Sequence, residues 1–256
     1  SNLKPRIQNI SKRLFEQEAL QLHELGQKCD RIPTLFAHFE QDSQFYLVQE
    51  WIEGQTLNQE IIPGKKFDES YVRQLLQDLL EVLAIVHQHN IIHRDIKPQN
   101  LIRRSRDSHI VLIDFGAVKE LSHIDLNAEG ETFFTIAIGT PGYMPNEQLQ
   151  GKPQLCSDLY AVGILGIQAL TGMVPRQLPE DPRTGKLIWR DRVKVSPSLA
   201  DFLDKMTGLA IDRPENASQA LTVLNHIGTP QPQPQTWLTQ TEPTQTWLTQ
   251  TGLSRL

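Results

Sequence analysis

Apolar positions along this chain recur with two periods. In residues 12–25, Leu14, Ala19, Leu22 and Leu25 repeat at helical spacing, and Gly26 is well placed to stop that helix. Residues 70–89 carry a longer stripe, Val72, Leu75, Leu76, Leu79, Leu83 and Val86, which predicts an amphipathic helix with one face in the core. Residues 157–171 are apolar nearly all round, as expected of a central helix. Ser196 and Pro197 read as the cap and first position of a helix running through Met206, and residues 216–227 as the last helix. Strands are expected over residues 34–40 and 45–51, separated by the polar turn Gln41-Asp42-Ser43-Gln44. A short buried strand is expected at Ile110-Val111-Leu112-Ile113.

The pattern stops at Gly228. Thr229-Pro230-Gln231-Pro232-Gln233-Pro234 is an extended, polyproline-like linker. The run Gln235-Thr236-Trp237-Leu238-Thr239-Gln240-Thr241 then recurs unchanged over residues 245–251. Two copies cannot build a stacked core, so a disordered tail is expected. Composition favours a low-complexity linker over short docking anchors, although exposed Trp is a frequent hot-spot residue.

A chain of 256 residues with 39% apolar content can bury a sizeable core. Its formal charge of −5 shows no basic excess of the kind nucleic-acid binding needs, so none is expected. Cys29 and Cys156 are far apart and in unlike contexts, which gives no disulfide framework or zinc spacing and makes a reducing cytoplasm the default. The longest apolar stretch, residues 160–170, is too short to span a bilayer and carries Gln168. No signal peptide opens the chain, and its first residue is Ser1 rather than Met, as expected of a fragment or a processed product. Membrane tethering through other segments stays open.

The chemistry concentrates in His93-Arg94-Asp95-Ile96-Lys97-Pro98-Gln99-Asn100. Asp95 could accept a proton from an attacking hydroxyl, Lys97 could neutralise charge on a moving phosphoryl group, and Asn100 could hold a metal through its carbonyl oxygen. Asp114-Phe115-Gly116 closes the apolar run after it, and a carboxylate there suits Mg²⁺, which takes a few hard oxygens plus substrate phosphates. Then follow Gly139-Thr140-Pro141-Gly142-Tyr143-Met144-Pro145-Asn146-Glu147, the segment Ser157-Asp158-Leu159-Tyr160-Ala161-Val162-Gly163, and Asp212-Arg213-Pro214. Asp158, at the start of an apolar helix, is a buried acid needing donors, and its own first-turn amides could supply them.

In this order the motifs resemble the eukaryotic-like serine/threonine protein kinases found in bacteria, over roughly residues 7–227. The resemblance implies an α+β, protein-kinase-like fold with a mainly helical large lobe. Residues 1–53 would be a partial small lobe (the family's C-helix and its fourth and fifth strands) with the hinge, residues 54–228 the large lobe and residues 229–256 the tail. It implies ATP and Mg²⁺, with protein Ser or Thr hydroxyls as acceptors. Asp95 would orient the acceptor, Lys97 would steady the γ-phosphate, and Thr140 would bond both. Asn100 and Asp114 would hold the metal, while Phe115 and Gly116 complete its turn. Backbone groups of Glu50 and Ile52 would meet the adenine, with Gln49 as gatekeeper. Glu18 would be the C-helix glutamate, Asp158 would hold the catalytic-loop backbone, and His93 would have a structural part in that loop. Arg94 would meet a phosphate on Thr132 or Thr135, and Glu147 would pair with Arg213.

Two departures qualify the resemblance. The family's Ala-Pro-Glu reads Pro145-Asn146-Glu147 here, with the proline shifted by one. No glycine-rich loop and no Val-Ala-x-Lys strand precedes Glu18, and neither Lys4 nor Lys12 sits in a strand pattern, so those parts are expected upstream of Ser1 and low activity is expected of this polypeptide. A pseudokinase scaffold is the first rival, but pseudokinases commonly also lose the acidic residues retained here. A small-molecule phosphotransferase is the second, but it would not be expected to carry the Gly-Thr-Pro-Gly-Tyr segment, Glu147 and Arg213.

Overall fold

The computed structural model describes the backbone of residues 3–42, 44–115 and 139–227, with side chains from Lys12 onward except at residues 13, 14, 17 and 18. Helix α1 spans Leu3–Lys28, so it begins well before residue 12 and passes through Gly26 instead of ending there. Gly26 has a different task. The returning chain crosses so close that a Cβ at this position would lie 2.8 Å from the Pro33 carbonyl oxygen and 3.1 Å from the Thr34 Cα. Phe15, Ala19, Leu22 and Leu25 form its buried face.

Strands β1 (Leu35–Gln41) and β2 (Gln44–Gln49) pair antiparallel, with Phe39 opposite Tyr46 and His38 opposite Leu47. One face of this hairpin lies on α1, where Phe15 stacks on Phe45 at 4.8 Å between ring centroids. The second strand stops at Gln49, short of Trp51, which is 89% exposed. Such a hairpin is marginal alone, so its order depends on α1.

A second sheet follows, built from β3 (Gly54–Thr56), β4 (Leu101–Arg104) and β5 (Ile110–Leu112) in that order, all antiparallel. Only β5 is legible as an apolar run; three- and four-residue strands carry too little period to be read from sequence. Between β3 and β4 lie the short helix α2 (Leu57–Glu60) and the long helix α3 (Glu69–Gln88). Asp68 caps α3 by accepting from the Tyr71 N–H at 2.8 Å, and all six residues of its predicted stripe are buried.

Helix α4 (Asn146–Leu149) leads into α5 (Leu155–Thr171), which is buried along almost its whole length. Helix α6 (Pro197–Met206) starts on the Ser196 cap as the sequence predicts, and α7 (Ala217–His226) on the Asn216 cap. Helix α3 packs on α5 and α7, and α6 packs on α5, giving a helical body with the three-stranded sheet on its flank. Among the described residues no helix is long and apolar enough to cross a membrane. Gly116, Thr132, Thr135 and residues 229–256 lie outside the described residues, as does the side chain of Glu18 on α1.

Candidate active site

The loop between α3 and β4 is held from beneath by Asp158. Its carboxylate, 1% exposed, accepts from the backbone N–H of His93 at Oδ2 and of Arg94 at Oδ1, both at 2.8 Å. His87 Nε2 lies 3.1 Å from the same Oδ2, while His87 Nδ1 accepts from the Ala217 N–H at 3.1 Å. The His87 proton therefore sits on Nε2, facing the carboxylate. Of the two roles expected of Asp158, it takes the hold on the loop and not the cap of its own helix. The cap of α5 is Gln154, whose N–H donates to Ser157 Oγ at 3.0 Å, and Asp158 points across to the loop. Burial alone would raise the Asp158 pKa; the hydrogen bond from His87, the nearby histidines and the His93 N–H outweigh it and hold the carboxyl below its ordinary range.

Those two backbone bonds aim Asp95. Arg94 sits at φ 67°, a left-handed conformation that costs a non-glycine residue energy and persists only when its surroundings impose it. The Asp95 carboxylate is 2% exposed and carries Lys97 Nζ at 2.7 Å, Thr140 Oγ1 at 2.9 Å and Asn100 Nδ2 at 3.0 Å. Lys97 Nζ also donates to Thr140 Oγ1 at 2.8 Å, which closes a triangle of acid, base and hydroxyl. Thr140 reaches this site because its neighbour is glycine. At Gly139, φ is +136°, and a Cβ would lie 2.8 Å from Gln148 Nε2 and 3.0 Å from the Arg94 carbonyl oxygen. Gln148 Nε2 itself donates to that carbonyl at 2.6 Å.

His93 is fully buried behind the acid. Its Nδ1 accepts from the Asp95 N–H at 3.3 Å, and Nε2–H faces the Ile113 carbonyl at 3.1 Å, so the ring is neutral with its proton on Nε2. Burial lowers its pKa below 6.5 and outweighs the nearby carboxylate of Asp158 and the hydrogen bond to Ile113, both of which raise it. A histidine depressed in this way contributes stability that is complete above the unfolded value near 6.5 and is lost as pH falls through the folded value. The urea midpoint is expected to fall on acidification below about pH 6.5, and His93→Gln should flatten that part of the profile. An unchanged profile in the variant would contradict this origin.

Asp114 follows Ile113, whose N–H donates to the Asn100 carbonyl at 3.0 Å and so ties this segment to the loop. Asp114 is exposed and also left-handed, at φ 61°. Phe115 is 2% exposed, and its ring lies 4.7 Å from that of His93. Asn100 spends its amide nitrogen on Asp95, at the carbonyl (2.9 Å) and at Oδ2 (3.0 Å), which turns Oδ1 the other way. One amide oxygen and one exposed carboxylate are hard donors that fit Mg²⁺, an ion that completes its shell with water and phosphate.

Further along, Arg213 Nη1 lies 2.6 Å from Glu147 Oε1 and donates to the Cys156 carbonyl at 3.1 Å, and Nε donates to the Gly208 carbonyl at 3.0 Å. Ser157 Oγ donates to the same Glu147 oxygen at 2.8 Å. Burial would raise the Glu147 pKa, but hydrogen bonds from Arg213 and Ser157 keep it below the usual carboxylate range. The shifted proline, Pro145, occupies the cap position of α4, and its carbonyl accepts from the Gln148 N–H at 3.1 Å, so the departure is absorbed as a helix start. Arg213→Ala should destabilise by about 3 kcal/mol, because it strands a half-buried carboxylate, and Arg213→Lys by less. A denaturant titration showing no shift for the alanine variant would contradict the buried pair.

At the predicted hinge, the Glu50 N–H is committed to the Thr34 carbonyl at 2.8 Å, and its carboxylate accepts from Thr34 N and Oγ1, each at 3.2 Å. Only its carbonyl is then available to a ligand. Ile52 is buried, beside the exposed Trp51.

Three residues of this site are not legible from spacing. His87 looks like one more member of the α3 stripe, Ser157 like a helix start, and Gln148 like a surface amide. Their partners are far away in sequence, and no local period reports such a contact.

Residues 3–226 match the protein kinase domain family. The chain is 46% identical over 202 residues to serine/threonine-protein kinase PknA of Nostoc, a match covering 78% of this chain and 36% of that protein. It is 45% identical over 202 residues to serine/threonine-protein kinase C of Synechocystis, covering 78% of this chain and 38% of that protein. The chain thus spans little more than a third of the length of these relatives. In fold it resembles the crystal structure of the PknI kinase domain of Mycobacterium tuberculosis, with TM-score 0.61, 19% identity, and coverage of 86% of this chain and 81% of that one. The chain belongs to the protein kinase family, and α1 with the β1–β2 hairpin forms its small-lobe part beside the helical large lobe.

Proposed function

We propose that the site transfers the γ-phosphoryl group of ATP to Ser or Thr hydroxyls of proteins. The observation that carries this reading is the Asp95 carboxylate, 2.7 Å from Lys97 Nζ and 2.9 Å from Thr140 Oγ1. Phosphoryl transfer asks for alignment and charge neutralisation more than for covalent help. Asp95 accepts a hydrogen bond from the incoming hydroxyl and takes its proton as the bond to phosphorus forms. Lys97 neutralises charge on the transferring group, and Thr140 holds the two side chains in register. Asn100 Oδ1 and Asp114 would hold Mg²⁺, which when bound draws charge from the phosphate oxygens. The Glu50 carbonyl and the Ile52 N–H would read the adenine edge. His93 and Asp158 position the loop, and Glu147 with Arg213 braces the segment that docks the acceptor.

Arg94 would pair with a phosphate on Thr132 or Thr135, a charge-assisted contact that orders such segments. Mass spectrometry of active protein is expected to find that modification, and phosphate-free active protein would remove the assignment. The division at residue 53 between small and large lobes belongs to the same reading. The two free, buried cysteines, Cys29 and Cys156, suit a reducing cytoplasm.

Residues 1–256 hold no glycine-rich loop and no strand lysine ahead of α1, so this polypeptide is expected to bind Mg·ATP weakly and transfer slowly. Incubation with γ-labelled Mg·ATP and a mixed protein acceptor, followed by phosphoamino-acid analysis, tests the reading. Label on serine and threonine is expected. Label confined to tyrosine, or passed only to small-molecule hydroxyls, would overturn it.

A further inference from the structure

A groove on the large lobe shares no residue with the chemistry above. It has a volume of about 620 Å³ and runs along the outer face of α3 from Ser70 to Glu81, with the β4–β5 turn at Asp107-Ser108-His109 as its other wall. Leu75, which lines it, is buried, so its apolar surface comes from the half-buried Tyr71 ring and the aliphatic stems of the polar side chains around it.

The charges that line it are already matched. Arg103 pairs with Glu60 at 2.8 Å and Arg73 with Glu69 at 2.7 Å. Asp78 and Glu81 both pair with Arg31, at 2.9 and 3.1 Å, and Asp107 pairs with Arg104 at 2.7 Å. A charged occupant would have to break one of these pairs, and an uncharged one would not. The chain itself leaves the described structure at this rim: Arg73 Nη1 donates to the carbonyl of Ile227 at 3.2 Å, at the end of α7. The segment that follows, residues 229–241, carries no ionisable side chain and holds Trp237-Leu238. Ten extended residues reach about 33–36 Å, whereas the groove is only about 16 Å long, from the helical rise between Ser70 and Glu81.

We propose that the C-terminal tail folds back along α3 and seats Trp237 in this groove as an intramolecular docking anchor. The indole would bury its ring over Tyr71, donate its N–H to a rim carboxylate of Asp78 or Glu81, and lie within cation–π reach of Arg73 or Arg103. The anchor lies against Asp78 and Glu81, the two acids that hold Arg31 in the connection between α1 and β1. Tail docking would therefore stiffen the joint between the small-lobe part and the large lobe. This is independent of the phosphoryl-transfer reading, since it uses none of the same residues.

The test is fluorine NMR of the full chain carrying fluorinated tryptophan, with the four resonances assigned by single substitutions. Trp237 is expected to be shielded from the solvent isotope shift, as the fully buried Trp189 will be, while Trp247 behaves as exposed. Gln74→Arg, a change at an exposed groove residue, should return Trp237 to the exposed position and leave Trp189 unmoved. A Trp237 signal that is solvent-exposed in the unsubstituted chain, or that ignores Gln74→Arg, would overturn the proposal. Shielding of Trp247 in place of Trp237 would refute the assigned anchor. Shielding that disappears on dilution would assign the groove to the tail of another copy and refute docking within one chain.

Discussion

Asp158→Ala should cost roughly 3–5 kcal/mol of stability. The substitution leaves three buried donors without their acceptor: the N–H groups of His93 and Arg94 and the Nε2–H of His87. None of these can reach water without opening the contact between α5 and the loop. The strained Arg94 backbone depends on the same two bonds, so the loop that aims Asp95 should loosen along with the fold. Asp158→Asn retains one carbonyl acceptor but presents an NH₂ group to the remaining donors, so its loss should be smaller. The readout is the denaturant midpoint at constant m-value. An alanine variant with an unshifted midpoint would mean that the loop is held by something else.

The long-period parts of the fold were legible in the sequence. The α3 stripe, the apolar α5 and the Ser196-Pro197 start of α6 all stand where hydrophobic spacing and capping chemistry place them. The misreadings share a cause. Gly26 reads as a stop because glycine ends many helices, yet here it is spent on the close passage of Pro33, a contact between chain segments that local pattern cannot show. Position alone offers Asp158 as a cap because it stands near a helix start, whereas the family resemblance puts it under the catalytic loop, and its donors come from that loop, far back in the sequence. The order of motifs points to the family, and the resemblance puts Lys97 and Thr140 beside Asp95, where they lie. The supporting side chains of His87, Gln148 and Ser157 leave no local signature, because a side chain bonded to a group outside its own helix looks in sequence like any other core or surface residue.

Asp95→Asn should lower phosphoryl transfer by about 10²–10⁴-fold, the usual contribution of a positioned general base. The amide is nearly isosteric with the carboxylate, so its one oxygen can keep the bonds from Lys97 and Asn100, while its NH₂ faces Thr140 Oγ1, which can accept where it now donates. It cannot take a proton from the acceptor hydroxyl, and it removes the charge that holds Lys97 at 2.7 Å. The variant should therefore remain folded, with a denaturant midpoint close to that of the unsubstituted chain. The most direct test is the rate of label transfer from γ-labelled Mg·ATP to a serine- and threonine-containing protein, measured side by side for residues 1–256 and for the same chain carrying Asp95→Asn. A slow but measurable transfer that vanishes in the variant is the predicted result; equal rates in the two chains would contradict the assignment of Asp95, and with it the phosphoryl-transfer reading of this site.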